Sequence, residues 1–175
     1  MSALLIAGIG NIFKGDDAFG IEVARRLAGR ELPPGVDLVD FGIRGIDLTY
    51  ALLDRYDTAV LVDAISRGGA PGTIYVLEPE PGEAAAEELL LAPHDLDPAR
   101  VLRMVNAMDG RCRRIVLVGC EPETLGDEIE GRMGLSAPVT AAVDEALQVI
   151  EDVVADLLAR PVGTAASANL AGGTR

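Results

Sequence analysis

Four side chains stand out for the chemistry they could do. Asp16 and Asp17 lie in the run Gly15-Asp16-Asp17-Ala18-Phe19-Gly20, Asp63 follows Val62, and His94, the single histidine of the chain, sits between Pro93 and Asp95. Asp17, Asp63 and His94 together offer two carboxylates and an imidazole, a mixed oxygen and nitrogen set that divalent transition ions accept with positions left open for water or a substrate group. Donor softness does not separate nickel from zinc in such a set. Paired carboxylates can equally act as general acid and base. Taken singly, each residue also has a plain structural use: Asp16 and Asp17 suit a helix cap, Asp63 a turn, and His94 a solvated loop. With one histidine the two-histidine zinc protease pattern is impossible, and no Ser-His-Asp or Cys-His order supports a covalent mechanism.

The elements that would carry these residues alternate. Leu4 to Ala7 is a continuous aliphatic run ending in Gly8-Ile9-Gly10-Asn11, which predicts a buried parallel strand stopped by a turn. A helix follows, with Asp16 or Asp17 as its cap and Phe19, Val23 and Leu27 on its apolar face, closed by Gly29. Val36 to Phe41 is a second strand, a short helix surrounds Leu48 to Leu53, and Thr58 to Val62 is a third strand delivering Asp63 at its carboxyl end. The loop Gly68-Gly69-Ala70-Pro71-Gly72 leads to a fourth strand, Thr73 to Leu77, in a hairpin-like or edge position. Glu78 to Glu88 reads as an exposed acidic loop with a weak helical piece.

Asp97-Pro98 marks another helix start, with Val101, Leu102, Val105 and Met108 as the apolar face. Arg114 to Val118 is a further strand. The longest helix carries Val139, Ala142, Val143, Ala146, Ile150, Val153 and Leu157. Strands separated by helices predict an α/β fold, a three-layer α/β/α sandwich on a mostly parallel twisted sheet, whose ligands bind at the carboxyl ends of the strands. Asp17 and Asp63 both belong to that rim. Residues 1–160 are read as one domain and 161–175, rich in Gly, Ala, Ser and Thr, as a disordered tail.

Composition sets the remaining bounds. The formal charge of -13 argues against nucleic acid and against an anionic membrane surface, since both bind through Lys and Arg. The short apolar N-terminus is followed by a glycine-rich turn where a signal peptide needs its cleavage site, and no run approaches the roughly 20 apolar residues of a membrane span, so a cytoplasmic location is expected. Cys112 and Cys120 lack metal-type spacing and read as inert thiols. A nucleotide site on a flavodoxin-like fold is the rival reading of the glycine turn. The third glycine comes too late for a dinucleotide fingerprint, however, and two acids at a helix start repel a pyrophosphate.

Several spaced motifs, in order, resemble the NiFe-hydrogenase maturation endopeptidases over nearly the whole chain. They are Gly8-Ile9-Gly10-Asn11 with Asp16-Asp17-Ala18-Phe19-Gly20, then Asp40-Phe41-Gly42-Ile43-Arg44-Gly45, Asp63-Ala64 with Ala70-Pro71-Gly72-Thr73, and Pro93-His94. Gly119-Cys120-Glu121-Pro122-Glu123 and Gly134-Leu135-Ser136 with Val139 complete the set. The resemblance implies that Asp17, Asp63 and His94 bind nickel carried by the substrate, a NiFe-hydrogenase large-subunit precursor, with another divalent metal an option for the isolated protein. It implies that the enzyme removes the precursor's C-terminal extension, with Asp17 and Asp63 as candidate catalytic carboxylates. In that family the first acidic ligand is Glu or Asp, which Asp17 satisfies, and Ala18-Phe19 is bulkier than is usual there, an expected narrowing of the cleft. A non-catalytic nickel-sensing assembly module is the alternative use of the same site.

Overall fold

The computed structural model describes residues 3–79, 98–126 and 131–160. Its elements run β1 (Leu4–Ile9), α1 (Phe19–Leu27), β2 (Val36–Gly42), α2 (Gly45–Asp54), β3 (Thr58–Ala64), β4 (Ile74–Leu77), α3 (Pro98–Ala107), β5 (Arg114–Cys120) and α4 (Ala137–Ala159). The five strands form one sheet in the order β2-β1-β3-β5-β4. The first four in that order are parallel, and β4 lies antiparallel beside β5.

Strand alternation divides the core. Leu4 and Ile6 of β1, Val60 and Val62 of β3, and Val116 and Val118 of β5 face one cluster with Phe19, Val23 and Leu27 of α1 and Val143, Leu147 and Ile150 of α4. Their neighbours Leu5, Ala7, Leu61, Ile115 and Leu117 face the other cluster, with Leu48 and Leu52 of α2 and Leu102 and Val105 of α3. Successive side chains of a strand point to opposite faces, so helices on both sides force strands that are apolar at every position. The runs Leu-Leu-Ile-Ala and Ala-Val-Leu-Val answer that demand, and the outcome is the expected three-layer α/β/α sandwich.

Three local expectations are revised. The fourth strand is an edge strand but not a hairpin partner of β3, because β5 inserts between them. Met108 lies beyond the end of α3 and is exposed, leaving Val101, Leu102 and Val105 as the buried face. Neither Asp16 nor Asp17 caps α1; both sit in a 3-10 turn, Gly15–Ala18, and the capping position falls to Ala18, which makes no side-chain capping bond. The Glu78 to Glu88 loop beyond residue 79 and the tail after residue 160 lie outside the described residues. Both cysteines are buried and free, and burial pushes the Cys112 thiol up to about 11 and the Cys120 thiol up to about 12, as suits unreactive groups. No helix among the described residues is long and apolar enough to cross a membrane.

An ion pair fixes the start of β1. Asp57 accepts from Arg111 Nε at 2.7 Å and from the Ala3 N–H at 3.0 Å, while its own N–H donates to the Ala3 carbonyl. The Arg111 guanidinium holds the Asp57 carboxyl below its ordinary value of 3.8. A carboxyl depressed in the folded state stabilises fully above its unfolded value and loses that contribution as pH falls through the folded one. Melting temperature should therefore fall on acidification below about pH 4, and Asp57→Asn should melt lower at pH 7 but lose less between pH 4 and pH 2. A variant with the parent's acid slope would count against this assignment.

Candidate active site

Chain connectivity decides where a cleft opens. From β1 the chain leads to β2 on one side of the sheet; from β3 it leads toward β4 and β5 on the other. Neighbouring parallel strands whose connections diverge leave a crevice at their carboxyl ends, the switch point where α/β proteins bind ligands. Asp17 follows β1 and Asp63 is the penultimate residue of β3. The two carboxylates thus stand on either side of that switch point.

The β1 side is built on glycine. A Cβ at Gly10, whose φ is +141°, would fall on the Asp17 carbonyl oxygen, and one at Gly20 would fall on the carbonyl oxygens of Val62 and Ile9. These glycines let α1 and its preceding turn press directly on the ends of β1 and β3. Phe19 is fully buried in the α1/α4 core, so it does not narrow the cleft as its bulk suggested.

Asp17 is partly buried, and its Oδ2 accepts from the Asn11 N–H at 2.9 Å. Burial raises its carboxyl above the ordinary value, with the Asn11 bond and the Lys14 charge opposing the rise. That environment suits a group that exchanges a proton or trades solvent for a metal. Asp63, also partly buried, accepts from the Ala64 N–H at 2.8 Å on Oδ1, and its Cα pairs in register with Gly119 of β5. His94, the third expected ligand, lies outside the described residues. Among the described residues no group of three or more His, Cys, Asp or Glu side chains is arranged to hold a metal.

Two further carboxylates of the region are extensively hydrogen-bonded: Asp16, read from the sequence as a helix cap, and Glu121, read there only as part of a motif. Asp16 is completely buried and accepts from the Ser136 N–H at 2.6 Å, the Ser136 hydroxyl at 2.9 Å, the Glu123 N–H at 2.8 Å and the Thr124 N–H at 3.0 Å. Burial alone would raise its carboxyl, but these bonds, the Ser136 N–H foremost, outweigh it and hold the group below its usual range. Glu121, also buried, accepts from the Arg67 N–H at 2.8 Å, the Tyr75 hydroxyl at 2.9 Å and the Gly68 N–H at 3.3 Å.

Residues 21–153 match the family model described as hydrogenase maturation protease. The chain belongs to the hydrogenase maturation protease family. Its relatives include the hydrogenase 2 maturation protease of Escherichia coli K12, 33% identical over 149 residues that cover 84% of this chain and 87% of the relative. The hydrogenase expression/formation protein HupD of Rhizobium leguminosarum bv. viciae is 31% identical over 169 residues, 93% of this chain and 81% of the relative. Among solved structures, the hydrogenase maturating endopeptidase HybD from E. coli superposes with a TM-score of 0.67 at 30% identity, over 90% of this protease and 93% of that chain. The [NiFe] hydrogenase maturation protease HycI from Thermococcus kodakarensis superposes with a TM-score of 0.60 at 26% identity. The maturation protease is accordingly a hydrolase of peptide bonds.

Proposed function

We propose that this protease removes the C-terminal extension of a NiFe-hydrogenase large-subunit precursor after nickel has been inserted, recognising the nickel of its substrate through Asp17, Asp63 and His94. The observation that carries this reading is the placement of Asp17 and Asp63 on opposite sides of the β1/β3 switch point in a chain of the hydrogenase maturation protease family. Carboxylate oxygen and imidazole nitrogen are donors that a divalent nickel ion accepts, and substrate groups complete its coordination.

Docking of the precursor's nickel on these side chains would fix the scissile peptide beside the carboxylates, which turns recognition into rate. Hydrolysis then consumes one water: its oxygen adds to the carbonyl carbon, a carboxylate accepts its proton, and that proton passes to the amide nitrogen as the C–N bond breaks. The partner is a protein, and the rim is suited to one. Ile12 and Phe13 after β1, Ile43 between β2 and α2, and Ile46 in the first turn of α2 are large apolar side chains left exposed where the chain leaves the carboxyl ends of β1 and β2, with Ile43 78% and Ile46 74% accessible. Clustered exposed apolar residues of this kind mark interaction surfaces. The acidic charge disfavours nucleic acid and an anionic membrane surface as partners, and a cytoplasmic location belongs to the same proposal.

Deleting the gene tests the reading in the cell. A strain without it, and without a paralogue, should accumulate nickel-loaded large subunit that retains its extension, detected by intact mass. Normal maturation in that strain would overturn the proposal.

A further inference from the structure

Asp17 and Asp63 reach the cleft on separate segments, and both segments lean on the chain between β5 and α4. On the Asp17 side the ties are the four hydrogen bonds to Asp16, together with backbone bonds from Gly15 N to the Arg132 carbonyl, Asp16 N to the Thr124 carbonyl and Arg132 N to the Phe13 carbonyl. On the Asp63 side the chain leaves β3, donates from Ile65 N to the Cys120 carbonyl, and folds around Glu121. The Glu121 carboxylate takes the Arg67 and Gly68 N–H groups and the Tyr75 hydroxyl, while its backbone exchanges bonds with Gly72 and Thr73. A loop of Gly-Gly-Ala-Pro-Gly composition has little side-chain packing of its own to hold it, so this carboxylate organises it.

Resting on the reading of Asp17 and Asp63 given above, we propose that Asp16 and Glu121 are positioning residues that set the spacing of the two cleft carboxylates by tying both segments to the β5–α4 connection. Neither needs to touch substrate. Each is buried, each is spent on several donors from residues far away in the chain, and the pair gives a role to the Gly119-Cys120-Glu121-Pro122-Glu123 and Gly134-Leu135-Ser136 motifs. The Arg67 N–H bond, first among several, holds the Glu121 carboxyl below its ordinary value, so it presents full acceptor strength to the loop.

The chemistry of the bonds separates positioning from mere stabilisation. In Glu121→Gln one amide oxygen can stand where Oε2 accepts from Arg67 and Tyr75, and only the longer Gly68 contact is lost. In Glu121→Ala every bond is lost. With nickel-loaded large-subunit precursor as substrate, at a temperature where circular dichroism shows each variant folded, Glu121→Ala should lower kcat about 10²-fold with KM within about threefold of the parent, the loss expected from a small misplacement of reacting groups. Glu121→Gln should restore kcat to within about fivefold. Ser136→Ala, which removes one bond from Asp16 without altering charge, should lower kcat by about tenfold, and Ser136→Thr should restore it. This second pair decides the matter should Glu121→Ala not fold.

Unchanged kcat in folded Glu121→Ala, or in Ser136→Ala if the former does not fold, overturns the inference even if melting temperature falls. Asp63→Ala, assayed alongside, keeps the two claims apart. If it cleaves normally, the reading of the cleft carboxylates fails; if it is inactive while Glu121→Ala is fully active, only the positioning role fails.

Discussion

Asp17→Ala and Asp63→Ala should each cleave nickel-loaded precursor about 10²–10⁴-fold more slowly than the parent protease, the range expected when a group that handles a proton in the transition state is removed. The two residues differ in environment. Asp17 has a carboxyl raised by burial and a single Asn11 hydrogen bond on Oδ2, whereas Asp63 sits at a strand end paired with Gly119. If both also bind the substrate's nickel, each alanine variant should raise KM as well as lower kcat, which sets them apart from the positioning residues. Asp17→Glu keeps a carboxylate on a longer arm and should retain more activity than Asp17→Ala. Single-turnover cleavage followed by mass checks all of these, and parental rates in either alanine variant would remove that residue from the site.

A large effect on stability should come from a residue with no side chain. Gly20 lies where α1 crosses the ends of β1 and β3, and an added Cβ would meet the carbonyl oxygens of Val62 and Ile9 and lie 2.7 Å from the Ile9 nitrogen. Every one of those atoms is strand backbone, of β1 or β3, so none can move aside without disturbing strand pairing. Gly20→Ala should therefore cost about 3 kcal/mol or more, toward the severe end for overpacking. For a chain of this size that lowers the melting temperature by about 6–12 °C. Gly45→Ala is the matched control: it begins α2 and its added Cβ meets nothing within 4 Å, so it should be neutral or slightly stabilising. Equal melting temperatures for the two variants in a calorimetric scan would contradict the close crossing.

The sandwich was legible because the runs Leu-Leu-Ile-Ala of β1 and Ala-Val-Leu-Val of β3 are apolar at successive positions, a pattern suited to a sheet covered on both faces. Asp63 was legible because an aspartate ending a buried run has nowhere to go but the rim, and Asp17 because it sits in the glycine-rich turn between the first strand and the first helix. The burial of Phe19 was also readable, since Phe19, Val23 and Leu27 share one helical face, although its place beside Asp17 suggested a role in the cleft. The tertiary bonds of Asp16 and Glu121 were not legible. Their donors lie far off in the chain, Ser136 and Thr124 for one and Arg67 and Tyr75 for the other, and no local spacing signals a bond that tertiary structure creates. The edge place of β4 was among the expectations, but its antiparallel pairing with β5 escaped for a similar reason, because that partner comes after it in the sequence.

Selection of the loaded substrate is the most direct measure of the account. Purified protease should be incubated with nickel-free and with nickel-loaded large-subunit precursor, and the intact mass of the subunit followed over time. Loss of the C-terminal extension from the loaded form alone is the result expected if substrate nickel bridges Asp17, Asp63 and His94. Equal cleavage of both forms would contradict recognition through the metal.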